Sequence, residues 1–297
     1  MSPTGQRPLA QNALLGIVFM VIASALFAML DALIKLLSAR YPPVMLSWTR
    51  YFFHILVMLA VFGAARGAAL IRTRRPLAQF GRGAMLALSA LSFFTAVSVL
   101  PQAEATAILS VAPMLVTVGA VRLLRERAPR GTGIALALSF VGVLLILRPG
   151  GGMDGLGALL ALVAAFCSAA YALFTRSLAS ADDTVATLFI GGLVALVCLT
   201  AFVPFVWVWP ADWRDLALMA GTGFFGALGH LFLVRAYAMA SASTLAPFTY
   251  AHAAFSIVTG WLFFAAFPDA ISMAGMALII ATGVVMALQR RSSMPRD

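Results

Sequence analysis

"LLGIVFMVIASALFAMLDALIKLL", residues 14–37, decides the fold. A helix rises about 1.5 Å per residue, so the run is about 36 Å long and can cross a hydrocarbon layer about 30 Å thick. Near its end stand Asp31 and Lys35, four positions apart and therefore on one helical face. Opposite charges in such surroundings need a reason, and the rest of the chain supplies the context for one.

The 297 residues are 63% hydrophobic and 10% charged. Globular chains carry about 25% charged residues, too many for this sequence to supply. The polar residues cluster in short strips between apolar stretches of about 17–25 residues, the pattern of a polytopic membrane protein. The first run is too long for a cleavable signal and only Arg7 precedes it, so it is expected to remain as a helix. The formal charge of +10 does not mark a nucleic-acid face, because the arginines fall in alternate connections. Cys167 and Cys198 lie inside apolar stretches and match no metal or disulfide spacing.

Ten helical spans are expected: Leu14–Leu37, Val44–Ala64, Gly83–Leu100, Ala103–Val121, Gly131–Leu147, Leu156–Leu178, Thr184–Val208, Leu216–Leu233, Ser243–Ala266 and Ala270–Leu288. Helices rather than a barrel follow from the length of the runs and the lack of period-2 alternation. With the N-terminus in the cytoplasm, fifteen Lys and Arg residues fall on the cytoplasmic side, Arg82 among them, and four on the outer side. That asymmetry predicts cytoplasmic termini for both the 1–13 segment and the 289–297 tail.

The two halves resemble each other at an offset of about 141 residues. "SALFAMLDALIKLLSA" at 24 lines up with "AFCSAAYALFTRSLAS" at 165, pairing Lys35 with Arg176; "AVSVLPQAEATAILS" at 96 lines up with "AYAMASASTLAPFTY" at 236; "GVLLILRP" at 142 answers "GVVMALQR" at 283. Five spans per half, over 14–147 and 156–288, would enter the membrane in opposite directions. Inverted repeats of this kind place a substrate site near the midplane between the halves. The "DALIKL" ending of the first span, the "AVSVLPQAEATAILSVAP" passage, the following "LLRER" and the duplicated unit resemble the drug/metabolite transporter superfamily, of the EamA type. The resemblance covers residues 14–288 and implies export or import of small metabolites, amino acids among them, across the inner membrane. One departure is that Glu126, after the fourth span, has no acidic counterpart after the ninth, where Ala266 stands.

A charge at mid-bilayer costs roughly 2.5–3.5 kcal/mol by insertion scales, so each needs a partner, a wet cavity or an escape to the interface. Lys35 is close enough to the outer end of its helix to snorkel. Asp31 is not, and the short link "SARYPP" brings Arg50 back at matching depth, so Asp31 is expected to meet Arg50, Lys35 or both. Such a cluster is either a clasp between the first two helices or an outer gate with a cation-binding or protonatable group. His54 and His252 sit near the middles of the second and ninth spans. His252 has Pro247, Thr249 and Tyr250 beside it, and Pro247 and Pro113 are candidate helix breaks that could line a cavity or merely kink a span. Glu104, at the outer mouth of the fourth span, is a candidate proton carrier or a solvated loop residue. Tyr171, His230 and Tyr237 can offer hydrogen bonds, and Tyr237 and Trp48 suit interface anchors as well. In "GTGFFGALGH", 221–230, the four-residue spacings Gly223–Ala227 and Thr222–Gly226 predict close helix approach.

An intramembrane enzyme lacks its parts. A second membrane aspartate for a protease is missing, the three histidines have no metal-ligand spacing, and no nucleophile elbow or P-loop occurs. No cofactor or metal is therefore expected. The reading is a secondary transporter working by alternating access, driven by the substrate gradient or by protons, with Asp31, Glu104 or a histidine as the coupling group. A zwitterionic or amphipathic metabolite suits a cavity of mixed acid, base and aromatic groups. Export is the expected direction, with uptake of a vitamin-like or nucleoside-like nutrient as the alternative.

Overall fold

The computed structural model describes residues 8–123, 132–147, 154–178, 182–239 and 248–292. Among these every regular element is helical: α1 Pro8–Leu37, α2 Pro43–Met58, α3 Pro76–Val99, α4 Gln102–Leu109, α5 Ala112–Leu123, α6 Thr132–Leu147, α7 Gly155–Leu178, α8 Thr184–Thr200, α9 Trp213–Met239, α10 Ala251–Phe264 and α11 Ala270–Ser292. Five stretches, Leu14–Leu37, Pro43–Ile71, Pro76–Val99, Gly155–Thr175 and Trp213–Ala236, are long and apolar enough to cross a membrane. Five shorter apolar helices of 10–17 residues accompany them.

Local chemistry sets the boundaries. α2 runs on through a π-helical turn, Leu59–Gly63, and Gly67 at φ 48° then turns the chain where a side chain would be strained. The fourth expected span is broken: α4 ends at Leu109 and α5 opens at Ala112, one residue before Pro113, which has no N–H for the Leu109 carbonyl. Proline also shortens the seventh expected span. α8 stops at Thr200 because Pro204 cannot donate to that carbonyl, and Val203–Phe205 forms a 3₁₀ turn instead of reaching Val208 as helix. Asp154, Asp183, Asp212 and Asp269 cap the starts of α7, α8, α9 and α11 through backbone N–H groups. Four of the ten acidic residues are thereby helix caps at the ends of the bundle.

Helices of the first half pack on helices of the second. α1 lies against α9 and α10, α7 against α3, α4 and α5, α2 against α8 and α9, α3 against α8, and α6 against α11. Small residues permit the approach. Ala158, Ala161, Ala164 and Ala165 form a buried face of α7, where Ser89 Oγ of α3 donates to the Ala164 carbonyl at 3.0 Å. On α9, a Cβ at Gly223 would meet Phe53 and, at 2.8 Å, the backbone nitrogen of His54, so α2 and α9 touch backbone to backbone as the small-residue spacing predicts. One apolar core of buried side chains, including Leu30, Ile34, Leu46, Phe94, Ile108, Val143, Ala161 and Ile279, runs through both halves.

α6 and α11 also cross backbone to backbone. A Cβ on Gly275 would come within 2.6 Å of the Gly142 carbonyl oxygen, whereas one on Gly133 would meet nothing within 4 Å. Gly275→Ala should therefore cost about 1–3 kcal/mol through overpacking. Gly133→Ala should leave the melting temperature unchanged or raise it slightly. Thermal unfolding of both variants in detergent checks this, and equal midpoints would refute the close crossing.

Candidate functional site

The polar side chains inside the bundle form a row across four helices. Asp31 of α1 is 3% exposed, and its Oδ2 lies 2.9 Å from His252 Nε2 of α10. Phe27, one turn before Asp31, meets the His252 ring edge-on at 6.2 Å and the His230 ring of α9 at 5.0 Å. His230 in turn meets His54 of α2 at 6.0 Å, nearly perpendicular. The buried Arg50, one turn before His54, lies over the rings of Tyr51 at 4.6 Å and Phe94 at 5.5 Å.

Three sequence expectations change. The hydrogen-bond partner of Asp31 is His252, not Arg50 or Lys35. A helix contact between α1 and α10 supplies the pairing, which the short α1–α2 link does not. Lys35 does not snorkel to headgroups: its Nζ donates to the carbonyls of Val97 at 2.9 Å and Leu100 at 2.6 Å, at the negative end of α3. Arg82, counted among loop residues, is 1% exposed inside α3. Its Nε, Nη1 and Nη2 donate to Thr175 Oγ1, the Thr187 carbonyl and Tyr171 Oη, each at 2.7 Å. Tyr171 is thus an acceptor in a clasp joining α3, α7 and α8.

The other candidates lie apart from the row. Glu104, in the first turn of α4, accepts from Ser272 Oγ of α11 at 3.2 Å. Tyr250 is buried in the turn before α10. Pro247, Glu126 and the side chains of Arg176 and Tyr237 lie outside the described residues. Gln102, which the sequence marked only as a neighbour of Glu104, is 1% exposed and donates to the Ala28 carbonyl at 2.8 Å and to Thr259 Oγ1 at 2.9 Å, tying α1 to α10.

Each end of the bundle carries a latch between the halves. At the face where α1 begins, Arg66 pairs with Asp183, while Asp182 accepts from Thr73 Oγ1 at 2.6 Å, Arg74 N at 2.8 Å and Gln79 Nε2 at 3.0 Å. Burial works to raise the Asp182 carboxyl, but these hydrogen bonds outweigh it and hold the group below its ordinary value. The Arg66 hydrogen bond lowers Asp183 as well. At the opposite face Asp215 accepts from Tyr41 Oη at 2.6 Å and pairs with Arg40 at 3.3 Å, and Tyr41 Oη accepts from Ala211 N at 2.8 Å. Burial, then the Asp215 hydrogen bond, push the Tyr41 phenol up. An acidic residue in the first turn of a helix reads as a dipole partner, so nothing in the sequence singled out Asp215. Beside this latch Trp48, Phe52, Trp207, Trp209 and Trp213 line a groove of about 380 Å³, a clustering suited to a membrane interface.

Long apolar helices with a buried polar row between two packed halves define a multi-pass membrane protein of the transporter class. The EamA-like transporter family matches residues 14–148 and again residues 155–288, and the chain belongs to that family. It is 29% identical over 280 residues to the pseudopaline exporter of Pseudomonas aeruginosa, covering 93% of this chain and 97% of that one. It is 27% identical over 301 residues to a riboflavin transporter of Rhizobium johnstonii, covering 100% and 98%, and 24% identical over 266 residues to an S-adenosylmethionine uptake transporter of Rickettsia conorii, covering 90% of each. A solved crystal structure superposes with a TM-score of 0.63 at 23% identity, covering 96% of this chain and 99% of that one, so the fold is shared.

Two measurements follow. Removing one partner of a buried polar pair leaves the other unsatisfied at a cost of about 1–3 kcal/mol, so Asp31→Ala should destabilise more than Asp31→Ala/His252→Ala, with a coupling of about 0.5–3 kcal/mol in a double-mutant cycle. A double variant no better than the single would dissolve the pair. For the first latch, a depressed folded pKa stabilises the native state above the unfolded value, about 3.8, and that contribution disappears as pH falls through the lower folded value. Asp182→Asn should flatten this acid limb in unfolding midpoints taken from pH 6 to pH 2. An unchanged limb would show that the latch does not titrate.

Proposed function

We propose that the chain is a secondary transporter that moves a small polar or amphipathic metabolite, an amino acid or a derivative of one, out of the cell across the inner membrane by alternating access. The chain would cross ten times as two oppositely inserted five-helix units, 14–147 and 156–288, with both termini cytoplasmic. The observation that carries this reading is reciprocal packing. α1 rests on α9 and α10 as α7 rests on α3 and on α4 with α5, and α2 meets α9 as α8 meets α3. Exchanging the halves leaves that pattern unchanged, which supports a two-fold relation in the membrane plane. The latches join the halves at opposite faces, so opening one while the other holds would expose the buried row to one side at a time. Asp31 with His252, or Glu104, is the candidate group for proton coupling.

Export is favoured by the exporter named among the relatives at 29% identity. Uptake of a vitamin-like or nucleoside-like nutrient is the second reading, favoured in direction by the S-adenosylmethionine uptake transporter and in cargo by the riboflavin transporter, both at lower identity. Metabolite profiles of medium and cytosol from cells lacking and overproducing the protein test both. Accumulation outside on overproduction is expected; depletion from the medium would reverse the direction, and unchanged profiles would remove the transporter reading.

A further inference from the structure

Among the described residues, Arg50 is a cation inside the helices with a buried donor that the protein leaves unpaired. Arg50 is 6% exposed. Its Nε is closed off from solvent and has no hydrogen-bond partner. No carboxylate among the described residues lies within ion-pair distance of it, Asp31 being held by His252. The guanidinium carbon lies over the rings of Tyr51 and Phe94, and neither ring offers an acceptor to Nε. The other buried arginine is the contrast, since all three nitrogens of Arg82 reach oxygen acceptors.

The geometry around the unpaired edge is specific. Gly226 of α9 faces it, and a Cβ there would stand 3.3 Å from Nε and 3.6 Å from Nη2, with Leu30 at 3.0 Å on its other side. The Nε–Nη2 side of the guanidinium therefore packs against a stretch of helix that carries no side chain. That fork matches the two oxygens of a carboxylate, which it binds bidentately. Desolvating a guanidinium without a counter-charge is costly, and a bound anion would offset that cost.

We propose that the Nε–Nη2 edge of Arg50 docks a carboxylate of the transported molecule, and that Gly226 is glycine to keep that edge clear. The proposal rests on the transporter reading and narrows it to substrates bearing a carboxylate. The planar fork matches the two oxygens of a carboxylate, and Lys35 and Arg82 already donate to carbonyl and hydroxyl oxygens.

The test uses the full chain in proteoliposomes loaded with metabolite extract from cells that express it, the exported compounds being identified by mass spectrometry. Compounds moved by the wild type should carry a carboxylate, and their methyl esters should not move. Arg50→Gln should lower the flux at least tenfold with a melting temperature close to wild type. Gly226→Ala, which keeps the charge but crowds the fork, should also lower it. If Arg50→Gln does not fold, Arg50→Lys serves, since it retains the charge without the fork and should still lose most of the flux. Movement of compounds without a carboxylate, or wild-type flux in the folded Arg50 variant, overturns the assignment while leaving a transporter. Arg50-dependent inhibition by inorganic phosphate, with carboxylates inert, overturns it in favour of a phosphate site. No flux of any compound in the wild type removes the transporter reading and this proposal with it.

Discussion

A charge moved from water into hydrocarbon must meet a counter-charge, a set of aligned dipoles or a route back to water, and the interior of this bundle is arranged around that requirement. Lys35 meets it with dipoles, the carbonyls at the end of α3. Arg82 meets it with two hydroxyls and a carbonyl drawn from α7 and α8. Asp31 meets it with an imidazole from α10. Each solution reaches across a helix interface, so the same contacts that make the charges tolerable also hold the helices in register. A helix that drifted would leave an ion bare.

The two buried arginines also show how the halves fit. Arg50 of α2 abuts Gly226 of α9, and Arg82 of α3 abuts Gly191 of α8. Gly191 stands 141 residues after Arg50 and Gly226 stands 144 after Arg82. At the 141-residue offset Arg50 maps onto Gly191, whereas Arg82 maps onto Gly223, so under the proposed exchange of halves the two arginine–glycine contacts correspond only to within about one helical turn. Their contents differ, and only one of the two guanidinium groups is saturated by neighbouring oxygens. A duplicated frame that carries different chemistry in its two copies can be mechanically balanced and yet bind an asymmetric molecule.

Much of this was legible in the chain and some was not, for physical reasons. Apolar runs of membrane length, the small-residue face of α9 and the break beside Pro113 are local, and local pattern predicts them. That Asp31 needs a partner was legible too, because solvation demands one. Which partner was not: His252 is 221 residues away, and the nearer Arg50 and Lys35 were the natural choices by sequence distance alone. Arg82 was misplaced because it borders an apolar run, where pattern cannot tell a loop arginine from one folded inward. Tyr41 and Asp215 carried no signal at all, since their significance comes from meeting each other across 174 positions.

These contacts also differ in how readily they break. The Arg66–Asp183 pair is 38% and 51% exposed at its side chains, and Arg40 in the opposite latch is 66% exposed. Pairs so open to water contribute about 0–1 kcal/mol each and exchange readily with solvent. Breaking the buried Asp31–His252 contact leaves a polar group unsatisfied, at about 1–3 kcal/mol. At one face a rearrangement would break the exposed Arg66–Asp183 pair, whereas the opposite face also holds the buried Tyr41–Asp215 hydrogen bond at 2.6 Å. Alternating access as proposed would have to break that buried bond as well as the exposed pairs.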